Sequence, residues 1–196
     1  MPTIRYQTLR GAAIREQLQP LATLRLTVFR DWPYLYDGTP DEERQYLETY
    51  ASCSESLAVL AWDGSRCVGA TTALPLRHAA VAMQKPFEQA GLELDATLYF
   101  GESVVLTSHR GRGIGVAFFE QREAHALALG LRQCAFCAVD RPVTHPLKPE
   151  NHVPNDAFWM RRGYHRQPEL SCSFDWLDRG ELKPTTHTLT YWLRIL

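Results

Sequence analysis

The stretch from Thr97 to Leu131, TLYFGESVVLTSHRGRGIGVAFFEQREAHALALGL, constrains this chain more than any other. Thr97 to Leu106 is rich in β-branched and aromatic residues and predicts a strand. Thr107 to Gly115 contains Arg110-Gly111-Arg112-Gly113-Ile114-Gly115 and predicts a turn. Val116 to Leu131 predicts a helix, free of Pro and Gly until Gly130 near its C-terminal end. A Gly-rich turn opening a helix after a strand leaves backbone N–H groups at the positive end of the helix dipole, where a phosphate or pyrophosphate is favoured. Gly111, Gly113 and Gly115 let a ligand approach the backbone closely, and Arg110 and Arg112 add positive charge. The alternative is a strand–turn–helix joint whose glycines only satisfy turn geometry. The strand before it, the helix after it and the flanking arginines together favour the anion site.

The spacing excludes two familiar anion loops. A Walker phosphate loop needs Lys followed by Ser or Thr after its last Gly, and Val116-Ala117 are neither. A dinucleotide fold wants Gly-x-Gly-x-x-Gly and an acidic residue about 20 residues on. Here the spacing is Gly-x-Gly-x-Gly, no Asp or Glu falls between Glu123 and Asp140, and Asp140 lies too far along.

The run from Val105 through Arg110-Gly111-Arg112-Gly113-Ile114-Gly115 resembles the acyl-CoA-binding signature of the GNAT superfamily of N-acyltransferases. That signature is Arg or Gln, two residues, Gly, one residue, then Gly or Ala, and it matches at Arg110, Gly113 and Gly115. The resemblance covers nearly the whole chain through the order of its elements. It implies an acetyl-CoA-dependent N-acetyltransferase acting on a primary amine of a small molecule or peptide, by direct transfer in a ternary complex. It also implies that the turn's amides hold the CoA pyrophosphate and that the preceding strand pairs with the pantetheine arm. A backbone N–H near Val104, Val105 or Leu106 would hold the oxyanion. Two rivals remain: a non-catalytic acyl-CoA sensor with the same fold, and an acyltransferase using a longer acyl donor.

At 196 residues, the length fits one domain spanning positions 1–196, large enough to bury a core. A formal net charge of −1 argues against general nucleic-acid binding. No apolar run approaches the length of a membrane span, and the N-terminal MPTIRYQTLRG lacks a signal-peptide core. Five Cys, an odd number at irregular spacing, predict free thiols in a reducing cytoplasm. Cys134 and Cys137 are spaced C-x-x-C, but on a strand that spacing faces them apart, and no second pair completes a site. No metal is expected.

In chain order, Thr3 to Leu9 predicts a strand, and Ala12 to Phe29 a helix that Pro20 should bend or break. Arg30 to Pro40 is an aromatic loop. Thr39 is a candidate cap for a helix through about Ala51. Ser56 to Trp62 and Arg66 to Leu74 predict a hairpin around Asp63-Gly64. His78 to Gly91 predicts a helix interrupted by Pro86, and Arg132 to Val139 a strand. Asp140 to Pro154 is a Pro- and His-rich loop. A short helix follows through Arg162, then a terminal antiparallel pair, Leu170 to Trp176 with Thr186 to Leu196. By the resemblance this order is an α/β (α+β) fold, a mixed and mostly antiparallel central sheet flanked by helices. A homodimer joined through the terminal strand is one option.

Glu102 is the candidate base. It sits beside Gly101, where a bulge would splay the strand and aim its carboxylate into a cleft. A carboxylate in so apolar a strand is expensive unless paired or functional, and pairing with an arginine is the structural alternative. Family bases on this strand often lie a few residues earlier, which makes Tyr99 a second candidate. The family's usual acid, a Tyr four residues before the Gly that ends the last helix, is Trp159 here, which cannot usefully protonate a thiolate. Asn155, or Asn151, is a candidate contact of the pantetheine arm, and Asn155 is equally a helix cap. Asp31, Trp32, Tyr34, Tyr36 and Asp37 fall where the family shapes its acceptor pocket. Aromatics with acids suit a cationic amine, while a loop packed on the sheet edge is the alternative.

Overall fold

Local chemistry sets most elements of the computed structural model, which describes residues 3–196. The strands are β1 (Arg5–Arg10), β2 (Leu57–Asp63), β3 (Arg66–Pro75), β4 (Thr97–Val105), β5 (Gln133–Val139), β6 (His165–Trp176) and β7 (Thr185–Ile195). The helices are α1 (Leu18–Phe29), α2 (Pro40–Ala51), α3 (Val81–Gln89), α4 (Ile114–Ala128) and α5 (Asp156–Arg161). Before α2, the Glu42 N–H donates to Thr39 Oγ1 (3.3 Å) and the Thr39 N–H donates to Glu42 Oε2 (2.8 Å), a capping box with Pro40 at the first helical position.

All seven strands join one sheet in the order β1-β2-β3-β4-β5-β7-β6. Every neighbouring pair is antiparallel except β4 with β5. One face buries Leu21 and Leu24 of α1, Leu47 and Tyr50 of α2 and Phe87 of α3. The other buries Ile114, Phe118 and Phe119 of α4 and packs Phe158 and Trp159 of α5. Cys134 and Cys137 do face apart, Cys134 in the second cluster and Cys137 against the first.

Several expectations need correction. The helix expected over Ala12 to Phe29 is a 3-10 segment, Gly11–Gln17, followed by α1. Pro20 does not bend it, because it lies in the first turn of α1, where an N–H would have no intrahelical partner. α3 is shorter than His78 to Gly91 and carries Pro86 inside it. β6 begins at His165, not Leu170: it crosses Pro168 where its register with β7 shifts between Gln167 and Ser171, on the sheet's edge, where a missing N–H is tolerated. The terminal strand cannot extend a partner's sheet, because β7 is paired on both sides, to β5 and to β6.

Two irregularities position the site. β4 and β5 pair only over Thr97, Leu98 and Tyr99 with Gln133, Cys134 and Ala135, after which no pairing joins them. The gap opens toward the N-terminus of α4. In β4, Ser103 opposes Thr71 and Phe100 opposes Ala73, so Gly101 and Glu102 together oppose Thr72. This is a bulge, and it turns Glu102 to the α1/α2 face. Gly101 is required by packing: a Cβ there would sit 1.9 Å from the hydroxyl oxygen of buried Tyr50 and 2.6 Å from Thr72 Oγ1. Gly101→Ala should therefore destabilise the fold by about 2 kcal/mol through overpacking, lowering Tm by about 4–8 °C. An unchanged melting curve would show that Tyr50 yields without cost.

Candidate active site

The wedge between β4 and β5 is a cleft of about 430 Å³. Its walls include Phe100, Glu102 and Ser103 of β4, Phe119 and Arg122 of α4, and Phe136 to Val139 of β5. Because the two strands no longer pair there, their facing backbone groups lack strand partners. The Leu106 N–H donates to Val68 O (2.9 Å), so that amide is committed to β3 and cannot serve a ligand. By alternation in the antiparallel ladder the Val104 amide also faces β3, and the Val105 amide faces the wedge.

Beyond β4, Thr107–His109 makes one 3-10 turn, and α4 starts at Ile114, two residues earlier than the sequence predicts. Gly111 and Gly113 have φ of +73° and +80°, in the left-handed region where a side chain is strained. Gly113 is the N-cap, no side chain caps the helix, and its first turn carries no acid. The first N–H groups of α4, at Ile114 and Gly115, are thus left for an outside acceptor. Arg110, Gly111, Arg112 and Gly113 are all exposed. Arg110 Nε donates to Val105 O (3.2 Å) and Arg112 Nη2 to Ser108 O (3.1 Å), which folds both cations onto the turn.

Glu102 lies at the heart of a buried ionic cluster. Its side chain is fully buried, and Oε2 accepts from Arg25 Nη1 (2.7 Å) and from the Tyr46 hydroxyl (3.2 Å). Arg25 also pairs with Glu43, and its guanidinium lies 4.1 Å from the centre of the Tyr46 ring. Two buried carboxylates therefore share one guanidinium. Burial pushes the Glu102 carboxyl above the usual carboxylate range against the pull of Arg25, and Glu43 adds to the rise. Glu102 Oε1 has no hydrogen-bond partner. Sequence reasoning anticipated an arginine partner but not which one, since Arg25 and Glu102 are 77 positions apart.

The other expected residues divide. Trp32 and Tyr34 line the cleft; exposed Asp31 does not, nor does Tyr36, which bridges to Asp178. Trp32 packs against His145 (5.2 Å) and His152 (5.9 Å) of the Asp140–Pro154 loop, so two loops meet over the cleft. Tyr99 is buried in the core, its hydroxyl 3.2 Å from Cys137 Sγ, and is not part of the cleft wall. Asn155 lines the cleft but makes no side-chain cap to α5. Trp159 lines it too, packed against Phe136 and Trp192. Arg122, which no sequence pattern singles out, is buried and lines the cleft. Among the described residues no group of His, Cys, Asp or Glu is placed to hold a metal ion, and no helix is long and apolar enough to cross a membrane.

A sequence profile of the Acetyltransferase (GNAT) family matches residues 23–148. Solved structures share the fold at low identity. An acetyltransferase from Streptococcus agalactiae 2603 superposes with a TM-score of 0.62 at 14% identity, covering 100% of both chains. A ribosomal-protein-alanine N-acetyltransferase from Brucella melitensis gives 0.62 at 14% identity, with 99% of each chain covered. A GNAT acetyltransferase from Streptococcus pneumoniae gives 0.60 at 13%, covering 99% of this chain and 100% of that one. No curated protein sequence matches this chain. The profile spans more than half of the sequence, and the wedge, the uncapped helix and the sheet order agree with it: the chain belongs to the GNAT acetyltransferase family.

Proposed function

We propose that the protein, acting as a single domain, transfers an acetyl group from acetyl-CoA to a primary amine of a small molecule or peptide, directly within a ternary complex. The observation that carries this reading is the wedge opening onto the uncapped N-terminus of α4, with Glu102 on the same cleft. The residues fit the donor: side-chain-free, exposed backbone at Gly111 and Gly113, with nothing within 4 Å of where a Cβ would stand, suits a pyrophosphate. The amides at Ile114 and Gly115, flanked by Arg110 and Arg112, would hold it, and the Val105 amide would meet the arm or the reacting carbonyl oxygen. The acyl donor, when bound, supplies an activated thioester.

The chain's own groups then handle the amine. Trp32 and Tyr34 offer aromatic faces to a cationic acceptor. Glu102 removes its proton through a water, because a fully buried carboxylate has no direct path to the amine. Burial raises the Glu102 pKa, Arg25 pulls it back down, and Glu43, sharing Arg25, adds to the rise.

Three outcomes follow. Gly113→Asp forces a side chain into left-handed backbone and sets a carboxylate against the anion, so acetyl-CoA affinity by calorimetry should fall more than about tenfold; unchanged affinity in a folded variant would remove this turn as the site. Glu102→Gln should lower kcat about 100-fold or more with acetyl-CoA affinity nearly intact, and wild-type turnover at every pH would remove Glu102 as base. The pH profile carries a sign. Below its pKa Glu102 is protonated and cannot act as base, so kcat/KM should rise with pH through a limb above the usual carboxylate range. Arg25→Met removes the group that holds this pKa down and should move the limb to higher pH; a shift to lower pH would contradict the assignment.

A further inference from the structure

Arg122 is the group in the cleft that nothing above explains. It stands on α4, is 1% exposed, and its guanidinium lies 3.9 Å from the centre of the Phe100 ring and 4.8 Å from that of Phe119. Nε donates to Phe118 O (3.2 Å) and Nη1 to Glu102 O (3.3 Å). Nη2 is buried with no partner, and Arg122 forms no ion pair among the described residues. The neighbouring buried arginines differ: Arg25 has Glu43 and Glu102, and Arg141 has Asp178. A buried cation with two carbonyls and two aromatic faces but no carboxylate is costly, and a role limited to pinning the β4 bulge would be met by Nε and Nη1. Arg122 lines the cleft with Phe100, Glu102 and Phe136, and its leftover donor is buried beside it.

A buried guanidinium with an unpartnered donor beside the cleft suits an anion there. Arg122 stands apart from the anion at the helix N-terminus, because its side chain bonds to Phe118, five residues and about 7.5 Å below Gly113, and across to Glu102 O. On the functional reading above, acyl transfer from a thioester puts a negative charge on the departing sulfur within the wedge. Proton donors near it are weak. The hydrogen bond with Cys172 and burial raise the Cys137 thiol, burial raises the Tyr34 phenol, and Trp159 offers only an indole N–H. Burial lowers Arg122 itself, to about 10, which leaves it charged at neutral pH.

Building on the functional reading above, we propose that the Arg122 guanidinium is the counter-charge for the departing thiolate, so that the sulfur leaves unprotonated. In this step the amine, already freed of one proton by way of Glu102, forms the N–C bond and sheds its second proton to water. The C–S bond breaks, its electron pair stays on sulfur, and Nη2 donates to the thiolate. Solvent protonates the thiolate to the thiol after the product dissociates.

The test reads the thiol of bound CoA rather than turnover. The ultraviolet absorbance of the thiolate is titrated with pH in the CoA complex. The acetyl-CoA complex, whose sulfur is blocked, serves as the blank and cancels the protein's own thiols and phenols. In the wild type the bound thiol should titrate about one pH unit or more below free CoA. In Arg122→Met that shift should vanish while CoA still binds, and Arg122→Lys, which keeps the charge, should retain part of it. A wild-type bound thiol that titrates with free CoA, or above it, overturns the proposal, whether or not Arg122→Met folds. An equal shift in wild type and Arg122→Met also overturns it. Absence of CoA binding to the wild type would instead overturn the functional reading, and this inference with it.

Discussion

Everything at the site depends on β4 and β5 parting after three residue pairs. A parallel pair in mid-sheet would normally continue, because each unmade ladder bond leaves a donor and an acceptor without a partner. Here both strands keep their outer neighbours, β3 for β4 and β7 for β5, so the sheet stays whole while its middle opens. The opening leaves backbone groups that would have been internal facing a cleft. Its two walls are held apart by aromatic packing: Phe119 contacts Phe100 and Phe136 at once, from opposite sides of the wedge.

The bulge at Gly101 and Glu102 solves a second problem, how to place a carboxylate beside the cleft inside a core. Without the extra residue, alternation would send Glu102 to the α4 face, among Phe100, Phe118 and Phe119. With it, Glu102 meets Arg25, Tyr46 and Glu43 on the α1/α2 face, while its carbonyl accepts from Thr71 Oγ1 (2.5 Å) and from Arg122. Glu123, one residue after Arg122, faces away and ties α4 to α5 and β7 through Arg162 and Arg194. Adjacent positions on one helix thus divide between reaching the cleft and anchoring the helix.

How much of this was legible in the sequence follows from how local each signal is. The strand, turn and helix around Arg110 to Gly115 are written in consecutive residues, and so are the Thr39 cap and the β2–β3 hairpin; all three stand in the structure. Strand order is not local, and nothing in Thr186 to Leu196 says that it inserts between β5 and β6. The partners of Glu102 come from α1 and α2, where Arg25 and Glu43 read as ordinary polar positions on amphipathic helices. Arg122 is hidden for the same reason, since a helix pattern does not tell an arginine that snorkels to water from one folded inward over two aromatic rings. In the Arg30 to Pro40 loop, composition suggested a pocket, but only tertiary packing divides cleft-facing Trp32 and Tyr34 from Tyr36, which turns toward Asp178.

The central claim is that one ligand bridges the wedge and the N-terminus of α4. Amide hydrogen exchange with and without CoA tests it most directly. The account predicts that CoA slows exchange at the Val105 amide and across Gly111 to Gly115, along with the facing edge of β5 from Phe136 to Val139, and leaves β1, β2 and β6 unchanged. Protection confined to other elements, or none at saturating CoA, would contradict it.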